Sequence, residues 1–394
     1  MKKYLSILII FIFTFTPLAI TKAEDTNSAP VTFFESMDNL QKLKGYKMNQ
    51  NFSGDFKINL NQAEDIQEVA GNYRFDLNTS FYNENPYEND FDSTFKGQIK
   101  LSATGKNKPF GDLSVNFRGQ MISLFGDGMY LKLISATLMA KDVPAEDMQS
   151  YQDFMKEFNA QINSVRGQWI YFPSAYYTDE LKAEAPEGVG ELLDTKALTD
   201  KFKKDGVKKT YEGLIQETLS TLQADETMTE EDKQSITKIS DEFFKTKFFS
   251  VKTLTSGTNK GLTSFYLIKP KIVKFVSKIA GILGENLTDS DIKQMASYLD
   301  RFNLSGLYGI DETNRIMDIF RLKFVLRNVD ALDFLQFNYS YKVGGINEVK
   351  SINKPTDFTP VEEMDLPFLP QPMTDEELSI PESDSGTLDT TTGN

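Results

Sequence analysis

The sequence predicts an α+β fold dominated by one antiparallel sheet, and three observations carry that reading. Apolar and polar residues alternate over long runs between Tyr46 and Leu133, as in Met48, Gln50, Phe52 and Phe56, Ile58, Leu60, which is the period of a half-buried strand. The separators NQAED, NENPYEND, GKNKPFGD and GDG have turn composition, so consecutive strands pair as a meander rather than through βαβ crossovers. Stripes at three- and four-residue spacing mark helices before and after that block.

Taken in order, Val31 to Leu43 reads as an amphipathic helix through Phe33, Phe34, Met37, Leu40 and Leu43, stopped by Gly45. Strands follow from Tyr46, then at Glu68 to Ser80, Phe91 to Thr104, Asp112 to Gly119, Gln120 to Phe125 and Met129 to Ser135. A helix over Pro144 to Ser164 precedes RGQWIYF, a strand around Trp169, the single tryptophan. Residues 178–246 read as a helical insertion, with Leu198, Phe202 and Tyr211 among its apolar positions and Thr229 opening its last helix. Strands at Phe248 to Thr255 and Leu262 to Ile268 lead to helices at Pro270 to Leu283 and Thr288 to Arg301. Three strands close the fold, at Asn303 to Ile310, Arg315 to Leu326 and Asp333 to Val343, giving about eleven strands in all.

Composition narrows function before any motif does. The 394 residues include no histidine and no cysteine, which removes the commonest general base, the usual zinc ligands, thiol nucleophiles and disulfides. A net charge of −14 argues against nucleic acid as a partner and against simple electrostatic docking on anionic lipid. Residues 1–23 have the basic start, apolar run and small-residue exit of a secretory signal, with cleavage expected after Ala23 and an uncleaved anchor as the rival reading. The expected location is therefore periplasmic, extracellular or at the cell surface. From Pro360 onward the chain carries nine Asp or Glu and no Lys or Arg, and residues 361–394 read as a disordered acidic tail.

The order of elements also carries a resemblance. NLQKLKGYKM ending a leading helix, YKMNQNFSGDFKINL, GDGMYLKL, RGQWIYF, FFSVKTLTSGTNKGLTSFYLIKP and LSGLYGIDETNRIMDIFRLKFVL are similar to the LolA and LppX class of envelope lipoprotein-carrier domains. The resemblance spans roughly residues 31 to 360. It implies a strongly curved antiparallel sheet, a half-barrel wrapping helices around an apolar cavity for acyl chains, here with a helical insertion. Without a lipobox cysteine, it implies a free soluble form.

Candidate cavity residues are Phe52, Phe56, Phe75, Phe95, Phe117, Leu133, Trp169, Phe265, Phe302, Phe324 and Phe337, with ordinary core packing as the plain alternative for each. Catalytic signals are weak. Ser235 and Lys238 have S-x-x-K spacing but lack S-D-N and K-T-G companions, so a solvated helix face explains them. Asp76, Asp92, Asp289 and Asp291 have no spacing that separates paired catalytic acids from caps and loop charges. The acidic stretch from Asn83 to Asp92 lacks EF-hand order and reads as a hairpin loop. No phosphate-cradling glycine motif occurs, so no nucleotide cofactor and no metal are expected. The function expected is non-enzymatic binding or carriage of a lipid or lipidated molecule. The alternative is a structural or sensory envelope protein with a filled core that acts through a protein partner.

Overall fold

A computed structural model describes residues 32–60, 68–105, 111–174, 195–224, 229–284, 287–329 and 331–364. The expected signal segment, the acidic tail beyond residue 364 and the first part of the helical insertion, 178–194, lie outside the described residues. The chain folds into an open, curved sheet of twelve strands with six helices among the described residues.

The first helix, α1 (Phe33–Gln41), begins where the Thr32 hydroxyl accepts from the Glu35 amide at 3.2 Å. It ends at Lys42, and Gly45 is not its terminator. Gly45 opens the first strand, where an added Cβ would lie 2.2 Å from the Val349 carbonyl oxygen, so a returning segment makes glycine necessary there. Strands β1 (Gly45–Asn59), β2 (Glu68–Asn83), β3 (Asn89–Thr104), β4 (Asp112–Leu124) and β5 (Gly128–Lys141) form a continuous antiparallel meander. The two strands expected across 112–125 are one. Gly119 sits at a register shift against β5 rather than in a turn, because its missing Cβ admits a ring from β3.

Helix α2 (Met148–Val165) leads to β6 (Trp169–Pro173), which pairs with β5. Helices α3 (Thr195–Ala224) and α4 (Glu230–Lys245) make up the described part of the insertion. Strands β7 (Phe249–Thr253) and β8 (Thr263–Leu267), helices α5 (Lys269–Ile282) and α6 (Asp289–Asp300), and strands β9 (Phe302–Asp311), β10 (Ile316–Val329) and β11 (Leu332–Gly344) complete the fold. Thr288 and Asp291 cap α6 reciprocally, which fixes the helix start legible in the sequence. With the two strands expected across 112–125 merged, the twelfth strand is β12 (Thr359–Pro360), which lies where no strand is expected and pairs in parallel with β6. Val361, expected to open the tail, is buried beside β6 in a 3₁₀ turn.

The strand order is β12-β6-β5-β4-β3-β2-β1-β11-β10-β9-β8-β7, so β1 and β11 join the two halves. The halves are packed differently. Over β7 to β10, helices α1, α4, α5 and α6 help bury Phe33, Phe243, Phe248, Phe265, Phe275 and Leu304 into one core. Over β1 to β5 the same apolar face is mostly half-buried. No helix among the described residues is long and apolar enough to cross a membrane.

Candidate ligand cavity

Antiparallel register places the inner-face residues in rows. Tyr339, Phe52, Phe75, Gly97 and Phe117 lie side by side from β11 to β4, and Tyr341, Gln50, Leu77, Phe95, Gly119 and Leu133 form the next row. Aromatic rings lie over the glycines: an added Cβ would meet the Phe117 ring at 2.2 Å from Gly97 and the Phe95 ring at 2.3 Å from Gly119. Rings laid flat in this way thin the wall and leave room inside the curve. Phe52 stacks on Tyr339 at 4.6 Å between ring centres, and Phe75 meets Phe117 at 5.5 Å.

The eleven sequence-predicted residues therefore divide. Phe52, Phe56, Phe75, Phe95, Phe117 and Phe337 share the half-buried inner face. Leu133 lies on that face too, packed near Val165 and Ile170. Phe265 and Phe302 are 1% and 4% exposed in the packed core, with Phe324 against them. Trp169 is placed apart, opposite Lys132 on the outer face, with the ammonium 5.5 Å from its ring centre. Its neighbour Ile170 takes the inward position, since adjacent strand residues point to opposite faces.

A cavity of about 700 Å³ opens at the α1 end of this face, a size ordinary for small-molecule sites. None of the eleven residues lines it. Its walls come from Met37 on α1, from Tyr46, Met48, Phe81 and Phe91 on the sheet, and from Leu198, Phe202 and Tyr211 on α3. Gln41, Asn89, Ser123 and Thr199 add polar groups, and no described lining residue is charged. Burial raises the Tyr46 and Tyr211 phenols above their ordinary range, so both stay neutral. The sequence did mark Leu198, Phe202 and Tyr211 as a helix stripe. Their role as a roof depends on how α3 docks, which periodicity does not encode.

That docking is specific. Gly206, at φ 73° and ψ 166°, breaks α3 in two, and the amide of Val207 at the restart donates to Asp38 Oδ1 at 3.1 Å. The same carboxylate accepts from the Tyr87 hydroxyl at 2.6 Å and pairs with Lys42. Lys203 pairs with Glu88, and Tyr87 stacks with Phe202 at 6.0 Å. Burial alone would raise the Asp38 pKa, but the Lys42, Tyr87 and Val207 donors outweigh it and hold the carboxyl below its ordinary value. The Tyr87 phenol is pushed up to about 12, first by burial and then by its bond to Asp38.

Because the folded-state pKa of Asp38 is depressed, the carboxylate's contribution is complete above the ordinary Asp range, about 3.9, and is lost as pH falls through the lower folded value. Asp38→Asn is expected to speed amide exchange across residues 198–211 about tenfold or more at neutral pH, since bonds to an ionised acceptor are lost. It should also abolish the acid-induced loosening of that segment, and hydrogen exchange followed by mass spectrometry reads both effects.

The remaining acids and the S-x-x-K pair are placed as follows. Ser235 is buried on α4 and Lys238 is exposed. Asp76 accepts from Asn51 and pairs with Arg74 and Lys96, Asp92 accepts from Gln120 at 2.9 Å, and Asp289 and Asp291 occupy the first turn of α6. Of the stretch from Asn83 to Asp92, only residues 84–88 form the turn joining β2 and β3, with Tyr87 at φ 69°; Asn83 ends β2, and Asn89 to Asp92 are paired strand residues of β3. No group of three or more potential metal ligands occurs among the described residues.

No protein-family model matches the chain, and neither does any curated protein. One solved structure is similar, a crystal structure of a β-barrel-like protein of a domain of unknown function, DUF1849, from Brucella abortus. It shares 8% identity over 76% of this chain and 98% of its own, with a TM-score of 0.11.

Proposed function

We propose that the protein is a non-enzymatic, exported binding or carrier protein for an apolar ligand, a lipid or lipidated molecule held between the curved sheet and its helices, in the manner of the LolA and LppX class. The observation that carries this reading is the uncharged cavity of about 700 Å³, whose sheet residues share one face with the half-buried aromatic rows. A curved sheet whose apolar face is incompletely covered offers surface whose removal from water by an acyl chain is worth about 25 cal/mol per Å².

The test has two arms. Native mass spectrometry with organic extraction, on protein from its own host's envelope fraction, is expected to find near-stoichiometric lipid. N-phenyl-1-naphthylamine, an uncharged fluorescent probe, is expected to bind the purified protein and to bind Ser123→Trp at least about tenfold more weakly, because an indole at that wall position fills the cavity. An apo protein that binds no probe, or a Ser123→Trp variant that binds as the wild type does, would favour the alternative of an envelope scaffold acting through a protein partner.

A further inference from the structure

The outer face of the sheet has a charge opposite to that of the chain. A basin of about 450 Å³ on that face is lined by Arg74 on β2, Lys96 on β3, Arg321 on β10 and Lys342 on β11, around the carboxylate of Asp76. Four cations against one carboxylate leave +3 there, in a chain of net charge −14. Asp76 acts as a splint, its oxygens held by Asn51 at 2.6 Å, Arg74 at 3.2 Å and Lys96 at 3.3 Å. Neither Arg321 nor Lys342 has a carboxylate oxygen within ion-pair distance among the described residues, and all four cations are exposed.

The basic band does not stop at the basin. The pairing Arg321, Ser340, Asn51, Asp76, Lys96, Arg118 runs unbroken from β10 to β4, and Lys132 extends the next row on β5. At about 4.8 Å per strand, the band is roughly 29 Å long. Amides and hydroxyls fill the positions between the cations, with Asn49, Asn51, Asn78 and Ser340 lining the basin itself. Each amide offers two donors and an acceptor, the groups that sugar hydroxyls pair with.

We propose that this band is a binding surface for an acidic glycan, a linear polysaccharide carrying carboxylates, laid across the strands. Charge complementarity selects a polyanion, and the amides between the cations suit hydroxyl-bearing units between the charges. The sheet curves around its helices, so its outer face is convex, and a flexible polymer follows that face where a flat bilayer would meet only part of it. The surface is separate from the apolar cavity and stands whatever that cavity holds.

The probe is a fluorescently labelled oligogalacturonate, titrated by anisotropy at low ionic strength against the full chain, with neutral dextran oligomers and phosphatidylglycerol vesicles as the other arms. Saturable binding is expected for oligogalacturonate alone, weakened by salt and reduced about tenfold or more in R321E/K342E. Both substitutions are at exposed positions, and an unchanged melting temperature checks that the fold is kept. A second variant, Lys96→Gln, should weaken binding less, because it removes one charge without reversing it. Failure of oligogalacturonate to bind, or equal binding by wild type and R321E/K342E, overturns the site. Vesicle binding without oligogalacturonate binding overturns the glycan assignment in favour of a membrane.

Discussion

Phe265→Ala is expected to lower the unfolding free energy by about 3–5 kcal/mol, the range for removing a fully buried phenylalanine. The ring is 1% exposed and meets Phe249, Tyr308 and Phe320 with centres 6.1, 6.4 and 6.1 Å away. It also lies over Gly306, where an added Cβ would be 2.3 Å from it, so the strand beneath offers no side chain to fill the space left behind. Phe117→Ala supplies the contrast. Phe117 is half-buried, so its truncation should cost only about 1 kcal/mol while weakening binding of an apolar probe. Urea unfolding of both variants measures the difference. Equal losses would mean that the inner face over β1 to β5 is packed as tightly as the core over β7 to β10, and would remove the main support for an apolar ligand.

The contrast between these two phenylalanines explains what the sequence could and could not reveal. Both sit at apolar positions of alternating strands, and alternation assigns a residue to a face without saying what covers that face. Coverage is a tertiary property. Helices α5 and α6 close over β7 to β10, while α2 keeps Phe154 52% exposed and buries only Val165, although its stripe is as legible as theirs. Strand parity explains the position of Trp169. Trp169 is expected among the cavity residues, but the inward slot belongs to Ile170, and a shift of one residue exchanges the faces. Most other boundaries were readable because turn composition and capping are local. Thr288 with Asp291 is the clearest case, since the box is visible in four consecutive residues.

The cavity was less legible because it is assembled from segments far apart in sequence. Met37, Phe81 and Phe202 meet only after α1 crosses the sheet and α3 folds over it. A residue that no periodicity singles out is Asp38, a charge among the apolar positions of α1. Its carboxylate binds an amide 169 residues away, at the break that Gly206 creates in α3. Composition has the same blind spot: a net charge of −14 counts the acidic tail together with the sheet, and hides a basic outer face that only strand register gathers.

Gly119→Ala tests whether the glycine and aromatic pairs set the curve of the sheet. At a tolerant site, alanine in place of glycine stabilises a protein by about 0.4–1 kcal/mol by restricting the unfolded chain. At Gly119 the sign should reverse. The new methyl group would lie 2.3 Å from the Phe95 ring and 2.6 Å from the backbone oxygen of Lys132, so relief requires both a ring and a neighbouring strand to move. A net loss of about 1–3 kcal/mol is expected, the usual cost of overpacking. Gly281→Ala on α5 is the control, because nothing lies within 4 Å of its added Cβ, and it should gain up to about 1 kcal/mol from helix propensity. Thermal melts of the two variants are expected to move in opposite directions. If Gly119→Ala instead matches the control, the Phe95 ring is not held against that strand, and the thin aromatic wall that leaves space inside the sheet would have to be explained by the helices alone.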